Sequence, residues 1–118
     1  MPNKSLLIAE DEPMLRRVLQ RVLRKTPYEY IIVEDGQKAW ERIQERSFDL
    51  IILDQNMPGY TGTELVVKIH KYDPTVKVVL ASGDLPNMKG MVQPLGIIDK
   101  PFVLSTLLGQ IERFLAQD

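Results

Sequence analysis

The sequence predicts one α/β domain: a parallel five-stranded sheet with helices on both faces. Three observations carry this. Short runs rich in Ile, Leu and Val alternate with segments of helical periodicity along the whole chain. The run Leu50 to Leu53 is apolar without interruption, as in a central parallel strand buried on both faces. Four of the runs close on polar or charged residues, at Glu10-Asp11-Glu12, Asp54, Ser82 and Lys100, which a parallel sheet would bring to one edge.

The elements follow in order. Leu6 to Ala9 is a short strand that stops at charge. From Pro13 to Lys25, apolar residues recur at Met14, Leu15, Val18, Leu19, Val22 and Leu23, with Pro13 suited to a first helical turn. Thr26-Pro27 ends that helix, and Tyr28 to Val33, aromatic and β-branched, reads as the second strand. Gly36 opens a helix to about Arg46 with Ala39, Trp40 and Ile43 turned inward, and the central strand Leu50 to Leu53 follows. A loop through Pro58, Gly59 and Gly62 leads into a helix that uses Leu65, Val66 and Ile69 and ends near Tyr72. Val76 to Ala81 is the fourth strand. Between Asp84 and Gly96, Pro86, Gly90 and Pro94 restrict any helix to one or two turns within Asn87 to Val92. Ile97 and Ile98 form a brief fifth strand, and Val103 to Ala116 is a last helix burying Leu104, Leu107, Leu108, Ile111 and Leu115.

At 118 residues the chain accommodates one domain with one ordinary core, so residues 1–118 are read as a single unit. Fifteen basic residues against sixteen acidic ones, without a long run of either sign, leave no footprint for direct nucleic-acid binding. Cysteine is absent, which removes disulfides, thiolate chemistry and zinc-thiolate sites together. No apolar run approaches a membrane span, and the N-terminus turns charged at Lys4, before a signal peptide could form. The expectation is a cytoplasmic domain.

The strand-end residues define a chemistry. Carboxylates gathered at one sheet edge repel each other unless protons or a cation offset the repulsion, which makes Glu10, Asp11 and Asp54 a candidate metal group. Magnesium suits it, since that ion takes hard oxygen ligands and commonly pairs one or two carboxylates with a phosphate. A single acid at a strand end is most simply a cap or a solvated group. Acids at two strand ends aligned with a hydroxyl and an ammonium are not explained so simply. Asp54, rigidly placed after the most buried strand, is positioned to attack phosphorus and form an acyl phosphate. Lys100 would then neutralise charge on the equatorial oxygens, and Ser82 and the backbone NH groups after Asp54 would donate to them.

In order and approximate spacing, Ala9-Glu10-Asp11-Glu12-Pro13, Leu53 to Gly59 with Gly62, Ala81-Ser82-Gly83 and Asp99-Lys100-Pro101-Phe102 resemble the receiver domain of two-component response regulators. The resemblance covers essentially the whole chain. It implies a flavodoxin-like fold with strand order 2-1-3-4-5. It also implies that Asp54 accepts a phosphoryl group from a phosphohistidine. Magnesium would be held by Glu10, Asp11, Asp54 and the main-chain carbonyl of Asn56, and phosphate by Ser82 and Lys100. The partner implied is a sensor histidine kinase or a histidine phosphotransfer domain, met at a patch of Met14, Leu15, Val18, Pro101 and Phe102. Homodimerisation on phosphorylation, through the fourth helix, fifth strand and last helix, is a further property of many receivers.

Three departures from the family pattern stand out. Glu10 occupies a position more often aspartate, the fourth helix is shortened, and Ile97 stands three residues before Lys100, where many receivers carry an aromatic switch. Two rival readings fit the residues less well. A phosphohydrolase of the haloacid dehalogenase type would want an aspartate two positions after the nucleophile, where this chain has Asn56. A receiver reduced to a docking surface would have no chemical reason to retain acceptor, lysine, hydroxyl and acidic pair together. The expectation is therefore a signalling domain that promotes only its own phosphoryl uptake and loss. His70, at the end of a helix, is expected at the surface, and Trp40 and the methionines other than Met14 in the core or at its rim.

Overall fold

A computed structural model describes residues 3–84, 88, 90 and 92–117. Its strands are β1 (Ser5–Ala9), β2 (Glu29–Val33), β3 (Leu50–Asp54), β4 (Val78–Ser82) and β5 (Gly96–Asp99). All neighbours pair in parallel, in the order β2-β1-β3-β4-β5. The helices are α1 (Pro13–Leu23), α2 (Gly36–Glu45), α3 (Gly62–Tyr72) and α4 (Leu104–Ala116). These four are the helices among the described residues. Of the short helix expected between Asn87 and Val92, residues 87, 89 and 91 lie outside the described set. Val76 and Lys77 do not belong to the fourth strand, which starts two residues later than expected and takes in Ser82.

The two-residue period of the strands divides the core into two layers. Leu7, Ala9, Ile51, Leu53, Val78 and Leu80 meet α2 and α3 on one face. Leu6, Ile8, Leu50, Ile52, Val79 and Ala81 meet Leu19 and Leu23 of α1 and Leu107 and Ile111 of α4 on the other. β1, β3 and β4 are buried at every position, which explains why their sequences are apolar apart from Ser5 at the start of β1 and Asp54 and Ser82 at the ends of β3 and β4. Leu104 is expected inward but is exposed, lying in the first turn of its helix where the chain has not yet reached the sheet. His70 is exposed in the last turn of α3, as expected. Met57 and Met88 are buried, and Trp40 lies at the rim, its ring edge-on to Tyr72 at 5.4 Å.

Local chemistry starts the helices. Pro13 opens α1, and the Asp35 carboxylate accepts from Lys38 N at 2.8 Å at the start of α2. Thr61 and Glu64 form a reciprocal capping box on α3, Thr61 Oγ1 accepting from Glu64 N at 3.2 Å and Glu64 Oε1 from Thr61 N at 2.9 Å. Gly62, the first residue of α3, lies against β3 and β4: a Cβ there would come within 2.6 Å of Leu80 Cδ2 and 2.9 Å of the Asp54 carbonyl oxygen. Leu80 is fully buried and the carbonyl is backbone, so neither yields easily. Gly62→Ala should accordingly cost about 2 kcal/mol, read by chemical denaturation, although alanine favours helix elsewhere. An unchanged midpoint would mean that α3 can lift off β3 freely.

Candidate phosphoacceptor and metal site

Sheet register brings the predicted residues to one edge. Asp54 is the last residue of β3 and pairs with Ala81, the residue before Ser82, while Ser82 pairs with Asp99, the residue before Lys100. Glu10 follows β1 directly, its NH donating to the Val33 carbonyl at 3.0 Å. Glu10, Asp54 and Ser82 are buried, whereas Asp11 is exposed at the mouth. Carboxylate oxygens of Glu10, Asp11 and Asp54 all lie within 4.8 Å of one another.

Lys100 closes the cluster. Its Nζ lies 2.9 Å from Glu10 Oε1 and 3.2 Å from Asp54 Oδ2, bridging acids from two strand ends. The second Glu10 oxygen accepts from Glu12 N at 3.1 Å, so the longer glutamate side chain is folded back and fully engaged. Burial alone would push the Lys100 ammonium down, but Glu10 and then Asp54 together outweigh it and hold the group above its ordinary value. Asp54 too stands above its ordinary value. Burial pushes it up, the hydrogen bond to Asp11 and the charge of Glu10 add to this, and Lys100 offsets only part, leaving it at about 7.

The donor set fits magnesium. Three carboxylates face one ammonium, an imbalance that a small divalent cation with oxygen ligands corrects. Asn56 contributes to this edge through its backbone, its NH reaching Asp54 Oδ1 at 3.4 Å. Ser82 sits beside the end of β3, but its hydroxyl donates to the Asp84 carbonyl. Two residues that the strand-end reading passed over also build the site. Gln55 holds the following loop to α3, accepting from Thr63 N at 2.9 Å, with the Gly62 NH on its carbonyl at 3.0 Å. Arg16 donates to the Glu10 and Asp11 carbonyls at 2.9 Å each. Helical spacing places Arg16 one turn from the acids, yet nothing in the spacing distinguishes it from Arg17.

Beside the cluster a cleft of about 530 Å³ is lined by Met14, Leu15, Val18, Lys100, Pro101 and Phe102, together with Glu12 and Leu104. It contains every residue of the apolar patch expected from the sequence. The Lys100–Pro101 peptide at its rim is cis. A cavity of about 820 Å³ elsewhere, among Lys4, Phe48, Asp49, Tyr72 and Lys77, lies at the opposite edge of the sheet. Larger volume there brings no comparable chemistry. Among the described residues, no helix is long and apolar enough to cross a membrane.

Known proteins share this fold. The response regulator receiver domain model matches residues 6–112. The receiver protein CpdR of Brucella abortus (strain 2308) is 33% identical over 116 residues, which cover 95% of this chain and 97% of CpdR. Other relatives are longer, the chain spanning 54% of one and 25% of another. Among solved structures, the chemotaxis response regulator CheY4 of Vibrio cholerae has a TM-score of 0.82 at 28% identity, over 95% of this chain and 98% of CheY4. The receiver domain of sensor histidine kinase PA1611 from Pseudomonas aeruginosa PAO1 has a TM-score of 0.86 at 21% identity, over 98% of this chain and 99% of that one, and shows the same fold. With five parallel strands in receiver order, an acidic cluster and lysine at their C-terminal edge, and a family match over nearly its whole length, the chain belongs to the response regulator receiver domains of two-component signalling.

Proposed function

We propose that residues 1–118 work as one receiver unit in which Asp54 takes a phosphoryl group from a phosphohistidine, with magnesium as cofactor. The observation that carries this reading is the joint placement of Asp54, Glu10 and Asp11 within 4.8 Å, with Lys100 Nζ 3.2 Å from the acceptor. Glu10, Asp11 and Asp54 would hold magnesium through their side chains and Asn56 through its carbonyl. The ion supplies charge neutralisation for the phosphoryl oxygens and favours the ionised acceptor. The PA1611 receiver, similar in fold, has a magnesium ion coordinated in its active site cleft.

In the transfer, an Asp54 carboxylate oxygen bonds to phosphorus while the bond from phosphorus to the donor nitrogen breaks, and the electron pair returns to the imidazole. Lys100 holds the phosphoryl oxygens as a point charge, exchanging part of its contact with Glu10 and Asp54 for the new anion. Ser82 binds the phosphate after its hydroxyl leaves the Asp84 carbonyl. The donor is a sensor histidine kinase or histidine phosphotransfer domain, and the apolar cleft of Met14, Leu15, Val18, Pro101 and Phe102 suits the helices of such a partner. The domain acts as a cytoplasmic signalling switch and promotes only its own phosphorylation and dephosphorylation. Its phosphorylated form could pair with a second copy through β5 and α4, and no direct contact with nucleic acid is proposed.

Incubation with acetyl phosphate and magnesium should add a single phosphoryl group, detected by intact-protein mass spectrometry. Chelation of the magnesium should suppress it. Labelling that is insensitive to chelation would sink the metal assignment. The label should also be short-lived, because Asn56, exposed and two residues after the acceptor, and Asp84, two after Ser82, are small polar groups that admit an in-line water. Asn56→Arg, with a bulky side chain across the path of that water, should slow its decay. An unaltered decay rate would remove Asn56 from that role.

A further inference from the structure

The turn carrying the two N-terminal acids is held unequally. Glu10 is fixed through its side chain, by Lys100 at 2.9 Å and Glu12 N at 3.1 Å, and is almost completely buried. Asp11 is exposed and its carboxylate meets that of Asp54, a partner that repels it once both are ionised, so its direction depends on how its own peptide is held. From α1, Arg16 reaches back across this turn. Its Nη1 donates to both successive carbonyls, Glu10 O and Asp11 O, at 2.9 Å each, and its Nη2 lies 3.9 Å from Glu34 Oε2. Planar, multi-donor guanidinium geometry lets one side chain hold two neighbouring peptide units and an acid together.

We infer that Arg16 is a positioning residue for the divalent cation: by bridging the Glu10 and Asp11 carbonyls, it sets the orientation of the Asp11 carboxylate. The inference rests on the metal reading of the Glu10, Asp11 and Asp54 cluster and adds a residue outside it. Ligand direction matters because a small ion with near-octahedral demands tolerates little angular error, and groups that orient ligands affect affinity strongly without touching the ion.

Charge and positioning predict opposite signs here. Arg16 is a cation beside an acidic cluster, so removing its charge would, through Coulomb interaction alone, tighten magnesium binding. Loss of the bridge would weaken it. Calorimetric titration of the full chain with magnesium chloride, without any phosphoryl donor, separates the two. Arg16→Met keeps an apolar stem and loses all donors. It should weaken magnesium binding about tenfold, within the range for lost orienting groups. It should also speed exchange of the Glu12 amide in the metal-free protein, with little change in the global unfolding midpoint. Arg16→Lys keeps charge without the fork and should bind with intermediate affinity. Equal or tighter binding by Arg16→Met would overturn the inference while leaving the metal site standing. If Arg16→Met does not fold, Arg16→Lys decides: weaker binding than wild type supports the inference and equal binding overturns it. A wild-type chain that gives no magnesium isotherm would overturn the metal reading itself, and this inference with it.

Discussion

Asp54→Asn will take up no phosphoryl group from acetyl phosphate, and in the absence of magnesium it will be more stable than wild type at pH 8. Both effects come from one carboxylate. The amide that replaces it is too weak a nucleophile to form the acyl phosphate, and no second carboxylate stands at the end of β3 to take over. The stability change follows from burial. Asp54 is buried, and its carboxyl is raised to about 7 in the fold by burial first, then by Asp11 and Glu10. A carboxyl raised in the fold favours the native state when protonated, so its contribution is present in full below about pH 4, the unfolded value. That contribution is lost as pH rises through about 7. Asparagine carries no charge at any pH. The variant should therefore gain on the order of 2 kcal/mol over wild type at pH 8, fading toward pH 4. Urea denaturation at several pH values reads the gain, and mass spectrometry reads the label. A variant that still accepts phosphate at the wild-type level would move the acceptor elsewhere, and a stability difference independent of pH would mean that Asp54 is not held against its ionisation.

Lys100→Met should have the reverse pH signature. The ammonium bridges Glu10 and Asp54 at 2.9 and 3.2 Å, and both acids are buried. Removing one partner of a buried pair leaves the other charge without compensation, at a cost of about 3–5 kcal/mol when no relaxation is open. Here two relaxations are open. The lysine side chain is 19% exposed, so water can reach the vacated place, and Asp54 can take up a proton. A loss of about 2 kcal/mol is expected for the metal-free variant at pH 8. Because loss of the cation raises the Asp54 carboxyl further, the deficit should shrink as pH falls toward 5 and protonation relieves the cluster. Magnesium should also shrink it, since a divalent ion restores positive charge between the same carboxylates. Phosphoryl uptake should fall as well, for want of the point charge on the transferred group. A deficit of equal size at pH 5 and pH 8, with and without magnesium, would show that Lys100 acts through packing of its stem alone.

How far the sequence could be read depended on the range of the forces involved. Leu50 to Leu53 and Pro13 to Leu23 were legible because burial on two faces or on one stripe writes itself into local periodicity. Boundaries slipped where such patterning extends past the paired backbone: Val76 has the composition of a strand, but β4 begins at Val78. Leu104 has the right spacing and still faces outward, because a helix's first turn can precede its contact with the sheet. The strand-end residues were legible for a different reason. In a parallel sheet, consecutive strands start on one edge and end on the other, so chain order alone assigns Glu10, Asp54, Ser82 and Lys100 to the same edge.

By itself the sequence determined the fold class, the strand-end set and the family to which the motifs point, since each follows from periodicity and order along the chain. Only the tertiary structure decided which partners those side chains choose. Lys100 meets Glu10 across ninety positions of sequence as well as meeting Asp54, Glu10 folds back on Glu12 N, the Ser82 hydroxyl rests on the Asp84 carbonyl, and Arg16 rather than Arg17 spans the acidic turn. These are choices of rotamer and hydrogen-bond geometry. They are set by the packing of α1, β1, β3 and β5 against one another, and local spacing carries no record of that packing.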